Sequence, residues 1–170
     1  MRVAILTISD RSSRGEREDR SGPQLVRRVE QLGWTVTETG IVSDDQEEIR
    51  SQLASWSDGD EADVILTTGG TGFTSRDMAP EATRSVIDRE APGLAEAMRA
   101  ASLRITPHAM LSRAVAGIRR TTLIVNLPGS PKAAVENLEV LVPVLPHAVD
   151  LLRDDPGAEA DHRKPAFPKA

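Results

Sequence analysis

Ala62-Asp63-Val64-Ile65-Leu66-Thr67 runs straight into Thr68-Gly69-Gly70-Thr71-Gly72. The first six residues predict a buried strand, and the glycines that follow predict a tight turn into helical sequence. Three glycines in four positions let backbone N–H groups approach an anion closely, and the flanking threonines add hydroxyl donors. A strand before and a helix after is the setting for phosphate binding at a helix N-terminus. No Gly-Lys-Ser/Thr follows, so this is not a P-loop. Nor is it Gly-x-Gly-x-x-Gly, and it follows the third strand rather than the first. The alternative is a turn that merely needs positive φ.

Outward from this segment, strands and helices alternate. Val3–Ile8 is a continuous aliphatic run that predicts the first strand, and Ser9–Pro23 reads as a loop with four arginines and four acids. Leu25, Val29 and Leu32 at helical spacing predict a helix, with Gly33 as its stop. Trp34–Val42 alternates and predicts the second strand. Ser43-Asp44-Asp45 can cap the next helix, whose apolar stripe is Ile49, Leu53 and Trp56. Beyond the glycine turn, helical pieces are predicted over 81–88 and 93–103. Arg113–Ile118 and Thr121–Asn126 predict a hairpin across Arg119-Arg120. Residues 133–152 predict two helices broken by Pro143 and Pro146. The pattern is α/β: a three-layer αβα sandwich on a mostly parallel sheet, with an antiparallel edge hairpin. One domain is expected over residues 1–153. A flexible tail is expected over 154–170, which carries three prolines and no apolar period.

Composition excludes several function classes. The 170 residues hold 21 basic and 26 acidic side chains, a formal charge of −5, with two Trp, two Phe and no Tyr. Nucleic-acid binding by a basic face or by base stacking is therefore disfavoured. There is no cysteine, which removes disulfides, thiolate metal sites and cysteine nucleophiles. His108, His147 and His162 are too scattered for a metal site. No apolar stretch approaches the roughly 20 residues that span a bilayer, and no secretory leader is evident. A cytoplasmic protein without membrane contact is the expectation.

Ligands of open α/β sheets bind outside the carboxyl ends of the strands. Four polar clusters are expected there: Ser9-Asp10 with the arginine-rich loop, Asp44-Asp45, the glycine segment with Arg76-Asp77, and Asn126-Leu127-Pro128-Gly129-Ser130. Two carboxylates on such loops, Asp44 and Asp77, suit Mg²⁺ bridging nucleotide phosphates. Helix capping is the competing role for Asp44, pairing with Arg76 the one for Asp77, and Asp45 is a rival for either site. Arg11, Arg14, Arg17 and Arg20 can clamp phosphates or solvate the surface, and Lys132 can reach a phosphate from a helix start.

Three segments carry a family resemblance: Thr7-Ile8-Ser9-Asp10-Arg11-Ser12-Ser13-Arg14-Gly15 with Asp19-Arg20-Ser21-Gly22-Pro23; Ile65 to Gly72 with Arg76-Asp77 and Pro80-Glu81-Ala82-Thr83; and Asn126 to Ala133. In order and spacing the chain resembles the Mog/MoaB family of molybdenum-cofactor biosynthesis, which includes the G domain of gephyrin. The resemblance implies adenylyl transfer from MgATP to the terminal phosphate of molybdopterin, releasing pyrophosphate. It implies Asp44 and Asp77 as catalytic, Mg²⁺-binding residues. Ser9, Asp10, Thr68, Gly69, Gly70, Thr71, Gly72, Asn126, Pro128, Gly129, Ser130 and Lys132 are implied to bind pterin and nucleotide. It also implies a homotrimer, or a hexamer, and a downstream protein that inserts molybdenum. Two departures stand out: Ser43 where the family often has Pro, and Met78-Ala79-Pro80 where Val-Thr-Pro is common. A molybdopterin-binding paralogue without activity, or an interaction module of the same fold, is the alternative.

Overall fold

The computed structural model describes residues 1–154. Apart from Asp154, the expected tail lies outside the described residues. Six strands form one sheet: β1 (Arg2–Ile8), β2 (Thr35–Val42), β3 (Val64–Thr68), β4 (Arg89–Glu90), β5 (Ala116–Arg119) and β6 (Thr122–Leu127), in the order β2-β1-β3-β6-β5-β4. The pairs β1–β2, β1–β3 and β3–β6 are parallel, and β6–β5 and β5–β4 are antiparallel. The helices are α1 (Asp10–Ser13), α2 (Ser21–Gln31), α3 (Gln46–Asp58), α4 (Ala79–Val86), α5 (Pro92–Leu103), α6 (Pro131–Leu141) and α7 (Leu145–Leu152), with a 3-10 turn over Pro107–Leu111.

The near-continuous apolar strands are explained by burial on both faces, because successive side chains point to opposite sides. Val3, Ile5, Val64, Leu66, Leu123 and Val125 pack with α2, α5, α6 and α7. Ala4, Leu6, Ile65 and Ile124 pack with α3 and α4. That is the expected three-layer sandwich. Leu25 and Val29 of α2 are fully buried, each stabilising the layer contact by about 1.5–3 kcal/mol.

The structure corrects several predicted boundaries. The loop expected over 9–23 contains α1, and α2 begins at Ser21 with Pro23 inside its first turn. Proline is tolerated there because first-turn N–H groups have no intrahelical partner. For the same reason Pro146 does not break a helix but sits in the first turn of α7, and only Pro143 lies between helices. The hairpin forms, but its turn is Arg120-Thr121, with Arg120 at φ 54°. Strand β4 was not predicted. It has two exposed residues and no alternation, and it exists because Gly117 lets it approach. A Cβ at Gly117 would lie 2.4 Å from Ile87 and 2.9 Å from the Arg89 carbonyl.

Candidate active site at the carboxyl edge of the sheet

Chain direction from β1 splits at this edge. α2 carries the chain to β2 on one side and packs on one face. α3 carries it back past β1 to β3 and packs on the other face. The crevice between the carboxyl ends of β1 and β3 is therefore a topological switch point, where ligands bind in such sheets. Ser9-Asp10 and Gly69-Gly70 flank it.

The glycine segment is more than a turn. Gly69 has φ 104° and a Cβ there would lie 2.3 Å from the Ile8 carbonyl. Gly70 has φ 63°, and Gly129 approaches so closely that its Cβ would be 3.2 Å from Gly69 Cα. Backbone thus meets backbone where the β1, β3 and β6 loops converge, and no side chain fits between. Thr68 Oγ1 donates to the Pro128 carbonyl at 2.7 Å, which locks the last two loops together.

On one side of this glycine strip lies a cavity of about 500 Å³. Ser9, Arg17, Arg20, Thr68, Gly69 and Ser130 are among the residues that line it. Ser130 makes no side-chain cap on α6, and Ser130 and Pro131 both border the cavity. The positive end of α6, Arg17, Arg20 and the hydroxyls of Ser9, Thr68 and Ser130 suit an anionic group such as a phosphate, while Glu18 and Asp19 also line the cavity. A larger apolar groove, about 630 Å³, runs under edge strand β2 and shares Thr7 and Asp19 with the cavity.

On the other side of the strip stand the carboxylates. A Cβ on Gly70 would lie 3.4 Å from Asp44 Oδ1, and one on Gly72 would lie 3.1 Å from Asp77 Oδ2. Asp10 and Asp44 are cross-tied: the Asp10 N–H donates to Asp44 Oδ2 at 2.7 Å, and the Asp44 N–H donates to Asp10 Oδ1 at 3.0 Å. Arg76 grips Asp10 with Nε at 3.0 Å and Nη2 at 2.8 Å. Arg76, with the Asp44 N–H, holds the Asp10 carboxyl below its usual range. Burial pushes Asp44 up, and the nearby Asp10 and Asp77 charges add to that against the pull of the Asp10 N–H and Arg76. The ledge is thus short of positive charge.

Asp45 is separated from Asp44 by its task. Its side chain accepts from the N–H groups of Glu47 and Glu48 and caps α3. Capping, open for both in the sequence, belongs to Asp45, and Asp44 faces the crevice. Two expected ligand residues are not brought to the site. Asn126 is wholly buried, donating to Thr67 and Thr83 Oγ1 and accepting from the Val115 N–H, so it ties β6 into the core. Lys132 points into solvent, 3.7 Å from Glu136. Of the four arginines, Arg14 pairs with Glu16 on the surface, while Arg17 and Arg20 border the cavity. Pro128, Thr71 and Gly72 line a separate apolar pocket beneath the 3-10 turn.

Residues 4–147 match the family described as a probable molybdopterin binding domain. The chain belongs to that family. Among relatives of this molybdopterin-binding domain, a protein of Helicobacter pylori strain J99 named molybdopterin adenylyltransferase is 41% identical over 152 residues, covering 88% of this chain and 86% of that protein. Gephyrin of Dictyostelium discoideum is 44% identical over 164 residues, and the chain spans only 23% of its length. The crystal structure of the molybdopterin biosynthesis enzyme MoaB from Thermus thermophilus superposes with a TM-score of 0.85 at 50% identity, covering 91% of this chain and 98% of that one.

Sequence reading missed two site residues of this domain. Asp19 accepts from Thr7 Oγ1 at 2.7 Å and from the Ser21 and Gly22 N–H groups at 3.0 and 3.1 Å. It caps α2 and forms the wall between cavity and groove. The Asp-x-Ser-Gly-Pro spacing before an apolar helix was a legible cap signal. Arg113 reaches the glycine loop from the far edge of the sheet, which no local pattern signals.

Proposed function

We propose that this chain is a molybdopterin adenylyltransferase of molybdenum-cofactor biosynthesis, a nucleotidyltransferase that uses MgATP. The observation that carries this is the two-sided glycine strip. One flank is an anion-suited cavity and the other a carboxylate ledge, separated only by the backbone of Gly69–Gly72. Two ligands held on either flank meet across a strip that carries no side chain at Gly69, Gly70 or Gly72. In this reading the molybdopterin phosphate sits in the cavity near Ser9, Thr68, Ser130 and the start of α6. The ATP phosphates lie over Asp44 and Asp77. An oxygen of the pterin phosphate attacks the α-phosphorus of ATP, the bond to the bridging oxygen breaks, and pyrophosphate leaves. Phosphoryl-type transfer needs positioning and charge neutralisation rather than a covalent nucleophile, and the strip supplies the positioning.

Among the described residues, no group of three or more His, Asp or Glu is disposed to hold a metal. Two carboxylates facing one ledge fit Mg²⁺ all the same, because that ion takes one or two carboxylates and fills its shell with phosphate oxygens and water. Asp44 and Asp77 would hold it. Bound there, it offsets the charge of the phosphates. The raised Asp44 carboxyl fits a group waiting for a cation.

The assembly we propose is a homotrimer, with a hexamer as the larger form. In its support, Leu103, Ile105, Met110 and Leu111 crowd exposed into residues 103–111, and Phe73 is 67% exposed. Exposed apolar side chains close together in this segment suit an interface between copies of the chain. The adenylylated product is passed to a protein that inserts molybdenum. Among the described residues no helix is long and apolar enough to cross a membrane, which is consistent with a cytoplasmic enzyme. The deciding experiment is incubation with MgATP and molybdopterin, followed by chromatography for adenylyl-molybdopterin and assay of pyrophosphate. Pterin binding without either product would overturn the catalytic reading.

A further inference from the structure

Between β3 and α4 the chain runs through residues 69–78 with no helix or strand, and residues 73–76 are exposed. This loop carries Asp77 and Arg76. No residue from 72 to 77 belongs to either apolar core, so hydrogen bonds must supply the order there. Its base is closed by the Ala79 N–H on the Gly70 carbonyl at 3.1 Å. Its tip is closed by Asp77, whose Oδ2 accepts from the Thr74 N–H at 2.7 Å and whose own N–H donates to the Thr74 carbonyl at 3.1 Å.

One guanidinium crosses between the two limbs. Arg113 Nε donates to the Gly72 carbonyl at 2.7 Å, and Nη2 donates to the Asp77 carbonyl. Its backbone N–H donates to the Thr71 carbonyl at 3.0 Å. The outer edge of the fork rests on Glu81 of α4 through Nη1 and Nη2. Arg113 thus joins the start of the loop, its end, and the helix that follows. A planar, five-donor fork can do this, and a lysine ammonium cannot span both carbonyls.

We propose that Arg113, oriented by Glu81, is a positioning residue for the Asp77 carboxylate. It fixes the backbone at Asp77 and at Gly72, where an added Cβ would meet the same carboxylate at 3.1 Å, so that the group meets the metal–nucleotide complex in one place. The proposal rests on the adenylyltransferase reading. Arg113 touches no lining residue of the anion cavity, so pterin binding is independent of it.

Arg119, at the other end of β5, is the internal control. It too is a strut, bonding Asp58 Oδ1 and Oδ2 at 3.1 and 2.6 Å and the Val86 carbonyl at 2.8 Å, but far from the ledge. The experiment measures kcat, KM for each substrate, Tm, and Mn²⁺·ATP binding by electron paramagnetic resonance. The variants are Arg113→Lys, Glu81→Gln and Arg119→Gln. Arg113→Lys should lower kcat about 10–100-fold, the scale for losing a partner that orients a metal-binding group. It should weaken Mn²⁺·ATP and leave the KM for molybdopterin unchanged. Glu81→Gln should shift the same quantities in the same direction by less, and it carries the test if Arg113→Lys does not fold. Arg119→Gln should lower Tm and leave kcat and Mn²⁺·ATP binding intact. Wild-type turnover retained by both Arg113→Lys and Glu81→Gln overturns the proposal, as does an equal loss in Arg119→Gln. A wild-type protein that makes no adenylyl-molybdopterin overturns the functional reading instead, and the Mn²⁺·ATP measurement then still decides the role of Arg113.

Discussion

The two ends of the sheet treat a carboxylate, buried at one and half-buried at the other, in opposite ways. At the amino end, Asp63 has a side chain 2% exposed, between Arg2 and Arg153. Burial by itself would raise its pKa, but the Arg2 N–H at 2.6 Å, the Arg2 guanidinium and Arg153 outweigh that and hold it low. At the carboxyl end, Asp44 is held by one N–H and faced by two further acids, and burial leaves its pKa raised. The first arrangement is complete without a ligand. The second has Arg76 against three acids, a shortage of positive charge that suits the metal–nucleotide complex proposed for it.

The sharpest way to break this contrast is to remove charge from the carboxyl end. Asp44→Asn and Asp77→Asn should each lower turnover by about 10²–10³, the scale of one preorganised electrostatic contact. Both should still bind molybdopterin. Because the folded pKa of Asp44 lies above its unfolded value, its ionised form costs stability at pH 7. Asp44→Asn should therefore leave Tm at pH 7 equal to wild type or higher. A large fall in Tm for Asp44→Asn would show that the ledge is a structural knot instead.

The mirror experiment is Asp63→Ala. Removing a buried carboxylate that satisfies two guanidiniums and a backbone N–H should cost about 2–4 kcal/mol. In a domain of this size that lowers Tm by roughly 5–15 °C. Turnover at a permissive temperature should not change. The folded pKa of Asp63 is depressed, so its contribution is fully present above its unfolded pKa of about 4 and is lost as pH falls through the folded value. The gap in Tm between wild type and Asp63→Ala should accordingly close on acidification below about pH 4. A gap that stays constant to pH 2 would mean that packing, not charge, stabilises this end.

Gly70→Ala sharpens the contrast further. A Cβ at φ 63° costs roughly 1–2 kcal/mol, and it would press on Ile8 and Ala79 at 3.2 and 3.3 Å while standing in contact with Asp44 Oδ1. Calorimetry should show nucleotide binding weakened by more than the loss in Tm accounts for. Smallest of all, Asp45→Asn keeps a good N-cap and should change both Tm and turnover very little. If Asp45→Asn were inactive and Asp44→Asn active, the ledge would have to be rebuilt around Asp45.

Local chemistry made much of this legible beforehand. Aliphatic runs at β1, β3 and β6 announce strands buried on both faces, and Gly69-Gly70 announces backbone at positive φ. The order of elements puts the polar loops at one edge, since parallel strands present their carboxyl ends together. Spacing leaves Asp44 and Asp45 equal candidates to cap a helix, and the hydrogen bonds from the Glu47 and Glu48 N–H groups assign the cap to Asp45. Asn126 and Lys132 sit in a loop-like stretch that reads as ligand-binding, yet one amide was drawn into the core and one ammonium into solvent.

The sequence alone determined the α/β layering, the gathering of polar loops at the carboxyl edge of the sheet, and the residue types found there. These follow from periodicity and turn chemistry, which act over a few residues. The tertiary structure alone decided which carboxylates are neutralised and which loops are held still. Arg2 lies 61 residues from Asp63, Arg76 lies 66 from Asp10, and Arg113 lies 41 from Gly72. An ion pair or a guanidinium strut depends on distances of about 3 Å, and separations along the chain carry no record of them.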